Sequence, residues 1–187
     1  MKYFILFIIS NLLTGCISVE KINSDLKKVD IYWGNEISTS NEVTLHRDLD
    51  HSYDKTFSAV LKTFADLGLT VTKSSIESGL ILTRDEAPKP LTQDEWEKVI
   101  DIENPKLKNI TWLLQLPDEP KEQYVIISAT IQKIAPNKTK LDIGYFLNVP
   151  KYDEIGLITP KNVAPTAVKF ASRKIWDGID KNLSKPQ

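Results

Sequence analysis

The stretch HRDLDHSYD gathers His46, Asp48, Asp50, His51 and Asp54 within nine residues, and imidazole beside carboxylates is the material of zinc and other transition-metal sites. If the stretch opens as a strand, His46, Asp48 and Asp50 share one face. The same alternation turns that face to solvent, and acids just ahead of a helix favour its positive end without any metal. No metal is therefore expected. The other reactive group is the thiol of Cys16, the only cysteine in the chain. A lone cysteine excludes an internal disulfide and a four-cysteine zinc site, which leaves pairing between chains, a reactive thiol or a covalent modification. The sequence contains no glycine-rich phosphate loop, no HExxH pair and no GxSxG turn. Both of its histidines lie in that one segment, so a Ser-His-acid or Cys-His arrangement would have to draw on them. Paired carboxylates are the one hydrolytic option that composition leaves open. No catalytic residue is assigned, and enzymatic activity is not expected. The sequon Asn109-Ile110-Thr111 is read as a chance match.

These side chains would be held by an ordinary folded domain. Hydrophobic residues make up 41% of the 187 and charged residues 26%, which is normal globular usage. The net charge of -1, with no dense stripe of Lys and Arg, gives no electrostatic reason to expect a nucleic-acid partner. In EVTLHRDL, Val43, Leu45 and Leu49 alternate with His46 and Asp48, the pattern of a strand with one wet face. Ser52 then opens a helix over 53–67 with Tyr53, Phe57, Val60, Leu61, Phe64 and Leu67 on one stripe, and Gly68 ends it. LTVTKSS and GLILTR read as two short strands, with Gly79 suited to the turn between them.

Farther on, QYVIISATIQKIA and TKLDIGYFLNV alternate and are rich in β-branched and aromatic residues. They read as a hairpin reversed at Pro136-Asn137-Lys138. A last helix from Asn162 to about Leu183 carries Val168, Ala171, Ile175, Ile179 and Leu183 at spacings of three and four. The order predicts an α+β fold of two layers, an antiparallel sheet of about five strands with two helices on one face.

An insertion at about 85–122 differs in character. Thr92 and Glu95 form a capping box that opens a short helix bearing Trp96, Val99 and Ile100, and several prolines interrupt the stretch. From Arg84 to Gln123 there are ten acids against six bases, and from Tyr124 onward ten bases against five acids. Both regions read as solvated surface. A sharper expectation is that Trp96 and Trp112 sit on an irregular excursion and serve as aromatic anchors for a protein partner.

The start of the chain, MKYFILFIISNLLTGC, has Lys2, an apolar run from Tyr3 to Leu13 broken only by Ser10 and Asn11, and small residues before the cysteine. This is the layout of a secretory signal. The run would span about 16 Å as a helix, roughly half of a ~30 Å hydrocarbon core, so it does not suit a lasting membrane span. Leu13-Thr14-Gly15-Cys16 resembles the lipobox of bacterial lipoproteins at all four positions. That resemblance implies removal of residues 1–15, a diacylglyceryl group on the Cys16 sulfur and acylation of the new amine, with no other cofactor. Two or three acyl chains hold a protein stably, since each buried CH₂ contributes about 0.8 kcal/mol. Ile17 stands where an Asp would, in enteric Gram-negative bacteria, imply inner-membrane retention. The periplasmic face of the outer membrane is thus the expected location, and in a Gram-positive cell it would be the outer face of the plasma membrane. Residues 16–41 are then read as a lipidated flexible tether, polar and weakly periodic apart from Ile31, Tyr32 and Trp33, with the folded domain occupying 42–187.

The element order and the run YDKTFSAVLKTFADLGLTVTKSSIESGLILT are similar to BamC-like helix-grip domains of envelope lipoproteins, over about residues 42–183. The resemblance rests on pattern and not on a diagnostic motif, so partner contacts do not transfer residue by residue. It implies a helix-grip-like sheet and a role as a non-enzymatic adaptor or accessory subunit of a larger envelope assembly, such as outer-membrane barrel assembly or secretion machinery. The alternative is a periplasmic binding or carrier module for a lipid or small apolar ligand, which would need a sizeable apolar cavity.

Overall fold

A computed structural model describes residues 18–185. The lipobox-like run Leu13-Thr14-Gly15-Cys16 and the segment read as a secretory signal lie outside the described residues. The sheet is built on the hairpin of β5 (Tyr124–Ala135) and β6 (Lys138–Asn148), whose alternation buries Val125, Ile127, Ala129 and Ile131 together with Leu141, Ile143 and Tyr145 on one face. Around it the strand order is β1 (His46–Leu49), β6, β5, β3 (Leu80–Thr83), β2 (Val71–Ser75), with every pairing antiparallel. β4 (Asp85–Glu86) continues the line of β3 along β5 after a break at Arg84. The outer face of the sheet, which carries His46, Asp48, Ser128, Asp142 and Phe146, is half-buried to exposed.

Four helices of more than ten residues gather over the buried face. α2 (Tyr53–Asp66) presents Phe57, Val60 and Phe64 to the sheet, and α5 (Pro165–Leu183) packs beside it through Ala171, Ile175 and Ile179. The two helices approach closely at Gly178, where a Cβ would lie 2.6 Å from Thr63 Cγ2. α3 (Gln93–Lys108) and α1 (Val19–Thr39) pack on α5, and α4 (Pro150–Glu154) is a short turn of helix after β6. Among the described residues no helix is long and apolar enough to cross a membrane. The molecule is thus an α+β structure of antiparallel sheet and helices, as expected, with more of each than the sequence pattern discloses.

Three expectations need correction. The segment read as a flexible tether is the 21-residue helix α1, capped at Ser18, whose side chain accepts from Lys21 N–H, and docked by the burial of Leu26, Val29 and Trp33. Its apolar residues Ile22, Leu26, Val29, Trp33 and Ile37 recur at helical spacing, and polar contacts add to the docking. Asn23 accepts from Ile158 N–H and donates to the Gly156 carbonyl, while Asp30 Oδ1 accepts from the N–H groups of Lys161 and Asn162, both at 2.8 Å. Second, the insertion is only partly an irregular excursion: β4 pairs with β5 and α3 runs 16 residues through Pro105, while the stretch 109–123 that carries Trp112 is irregular. Third, the last helix begins at Pro165 and not at Asn162, whose side chain instead donates to the Asp30 carbonyl and carboxylate. Smaller details match. Gly68 and Gly79 take positive φ of 68° and 69°, and the Thr92–Glu95 capping box is formed on both sides.

Candidate functional site

The two tryptophans of the insertion part company. Trp96 follows the capping box on the inner face of α3, is only 5% exposed, and donates its indole N–H to the Pro117 carbonyl at 2.9 Å. It is a core residue, so its expected role as a partner anchor is withdrawn. Trp112 is 65% exposed. Its loop is pinned on both sides: Thr111 donates to Asp25 Oδ2 at 2.9 Å and accepts from Leu113 N–H, and Leu116 N–H donates to Asn104 Oδ1 at 2.7 Å. A large aromatic held out on an ordered loop has little conformational entropy left to lose on binding.

The histidine and aspartate cluster is spread along the edge strand and the turn after it. His46, Asp48 and Asp50 are exposed, Asp48 faces Lys138 at 3.5 Å, and His46 stands opposite Asp142 on β6. Arg47 points the other way, over the Trp176 ring and onto Asp180. Among the described residues no group of three or more His, Cys, Asp or Glu could hold a metal ion.

Buried acids lie elsewhere, and sequence reasoning passed over them. Asp25 on α1 is buried but receives Lys21 at 3.0 Å, Lys28 at 2.9 Å and Thr111. Burial alone would raise its carboxyl, yet the hydrogen bonds from Lys28, Lys21 and Thr111 outweigh it and hold the group below its usual range. Glu103 on α3 is fully buried against the start of α5, where Ala164 has no side chain able to cap. Its Oε1 accepts from the Thr166 N–H and hydroxyl and from Lys106, so it caps α5 across the helix interface. Asp85 accepts from the Thr70 N–H and hydroxyl at 2.7 and 2.9 Å. Each buried carboxylate thus answers a structural need. The sequence signal available was a lysine three or four residues from each acid: Lys21 and Lys28 for Asp25, Lys106 for Glu103 and Lys89 for Asp85.

Beneath α1 lies a cavity of about 70 Å³ lined by Leu26, Val29, Trp33, Trp96, Tyr145 and Tyr152 among other mostly apolar side chains. Trp33 Nε1 and the Tyr145 hydroxyl are buried there without a hydrogen-bond partner. The Ser172 hydroxyl near Tyr145 is turned to the Thr44 carbonyl. Burial pushes the phenols of Tyr145 and Tyr152 well above their ordinary value, so both stay neutral and can only act as hydrogen-bonding groups. The space is about half of the ~150 Å³ that admits one benzene ring. A wider groove of about 430 Å³, lined by Glu36, Glu42, Ile102, Lys106, Lys169 and Phe170, is open and of mixed polarity. No protein-family model matches the chain, and no curated protein matches it.

Proposed function

We propose that this chain is a lipid-anchored envelope protein that works without catalysis, as an adaptor or accessory subunit docking on a larger envelope assembly. Outer-membrane barrel assembly and secretion machinery are examples of such assemblies. The anchor is the acylated sulfur of Cys16 in Leu13-Thr14-Gly15-Cys16, and the location is the periplasmic face of the outer membrane. The observation that carries the docking role is Trp112, 65% exposed on a loop tied down on either side. A photo-reactive residue in place of Trp112, activated in the native host, should trap one protein partner. Trp112→Ala should abolish co-purification of that partner with the thermal midpoint unchanged. A trapped partner that still co-purifies with the alanine variant removes Trp112 from the reading.

The carrier reading keeps one supporting observation, the apolar cavity beneath α1. At about 70 Å³ it suits ordered water or a short apolar group and not a lipid, since ligand pockets run to roughly 300–1,000 Å³. Native mass spectrometry of protein purified from its host separates the two: retained lipid favours the carrier, and a bare chain the adaptor.

A further inference from the structure

The docking of α1 fixes where the body can sit relative to a bilayer. Only Ile17 and Ser18 separate Cys16 from the first residue of the helix. Three Cα steps of 3.8 Å let Val19 stand at most about 11 Å from the anchoring residue. The headgroup layer on each side of a bilayer is about 5–8 Å deep. With acyl chains on Cys16, the start of α1 must therefore lie in the headgroups or within several Å of them. Because α1 is bonded to the body through Asn23, Asp25 and Asp30, the body comes with it.

What the molecule presents at that end is apolar. Val19 lies one turn before Asn23 on the same stripe of the helix, and Asn23 holds the turn at 155–158 through the Gly156 carbonyl and the Ile158 N–H. Gly156, at φ 76° with open space around it, ends α4 and turns the chain there. Val19, Ile155 and Ile158 are 46%, 53% and 41% exposed, three aliphatic side chains gathered at the end nearest the anchor. Around them stand the carboxylates of Glu20, Asp153 and Glu154, while Lys21 is already paired with Asp25 and Lys151 with Glu122. A patch of that kind gains by burying apolar surface and gains nothing from negative lipid.

We infer that Val19, Ile155 and Ile158 form a docking surface for a zwitterionic phospholipid bilayer, so that the body lies against the membrane with a fixed end down instead of swinging on a leash. The inference rests on the acyl anchor at Cys16 proposed above. Its test uses the mature chain reconstituted into vesicles of phosphatidylethanolamine and phosphatidylcholine, spin-labelled in turn through Ile155→Cys, Ile158→Cys and, as a control, Ile134→Cys. Ile134 is 52% exposed beside the β5–β6 turn, at the end of the hairpin away from Asn148. All three positions are exposed enough that the label displaces no core atom.

Labels at 155 and 158 should collide with dissolved oxygen several-fold more often, relative to a water-soluble nickel chelate, than the label at 134. Adding phosphatidylglycerol should not strengthen the difference. Equal, water-like accessibility at all three sites in a chain whose mass carries the acyl groups overturns the docking surface and leaves the anchor standing. A mature chain without acyl mass overturns the anchor, and the docking inference falls with it.

Discussion

Every second residue of the β5–β6 hairpin from Val125 to Ile131 and from Thr139 to Tyr145 is buried under the helices, and nearly the whole length is laddered by backbone hydrogen bonds. α1 is attached in another way. It buries Leu26, Val29 and Trp33, with Ile22, Tyr32 and Ile37 packed beside them, and adds Asn23, Asp25 and Asp30 reaching groups more than eighty residues away in sequence. Apolar burial is insensitive to pH and salt, while a seam of charged hydrogen bonds is conditional on both. The hairpin is thus the permanent part of the fold, and α1 is the part whose attachment can be loosened without unfolding the remainder.

The largest way to break the comparison is on the sheet side. Gly79 has a φ of 69°, and a Cβ there would sit 2.1 Å from the Ile131 carbonyl oxygen of β5. Gly79→Ala should cost about 4 kcal/mol or more, among the rare large effects of single substitutions, visible as a lowered denaturation midpoint for the whole molecule. An alanine variant as stable as the parent would mean that this register is wrong. Next comes Trp33→Ala, a core truncation of about 3–5 kcal/mol in a rigid site. Here the loss should stay local, with proteolytic cuts appearing within 19–39 while hydrogen-exchange protection of β5 and β6 persists. Trp33→Phe should cost clearly less than the alanine change, since the indole N–H it removes has no partner and only part of the ring's packing is lost. Simultaneous loss of hairpin protection in Trp33→Ala would merge the two regions into one cooperative unit.

The third effect is set by pH. The Asp25 carboxyl is held below its usual value of 3.8, so its contribution to stability is fully present above that value and is lost as the pH falls through the lower folded one. α1 should detach below about pH 4 while the hairpin persists, followed by the same proteolytic cuts. Asp25→Ala should bring that state toward neutral pH at a cost of about 1–3 kcal/mol, the worth of a charged hydrogen-bond set whose lysines are half exposed. Smallest is Trp112→Ala, expected within about 0.5 kcal/mol of the parent by thermal denaturation because most of the ring is already in water. A large loss there would make Trp112 a packing residue and weaken the docking role proposed for it.

Where burial follows from neighbours in sequence, the sequence was readable. α2, α5, β5 and β6 show the helical or two-residue period directly, and the Thr92–Glu95 capping box marks the start of α3 to the residue. α1 carries an apolar stripe at helical spacing, Ile22, Leu26, Val29, Trp33 and Ile37, which the reading as a leash passed over; only its remote partners, such as Asn162 for Asp30, are hidden from the sequence. The candidate site divides in the same way. Trp96 and Trp112 look alike in the sequence, both aromatic and both in a stretch rich in prolines and acids. They separate only when α3 turns one inward onto the Pro117 carbonyl and the loop after it carries the other out.

The amino-acid order alone therefore determined the antiparallel hairpin, the two amphipathic helices of the core, the capped start of α3 and the lipobox-like run at Cys16, since each is a property of residues within a few positions of one another. The tertiary structure decided that α1 is docked, that the end beside it gathers Val19, Ile155 and Ile158, and which tryptophan meets solvent. Those outcomes depend on hydrogen bonds and contacts between segments far apart in the chain; the local period of α1 marks an apolar stripe but not what that stripe meets.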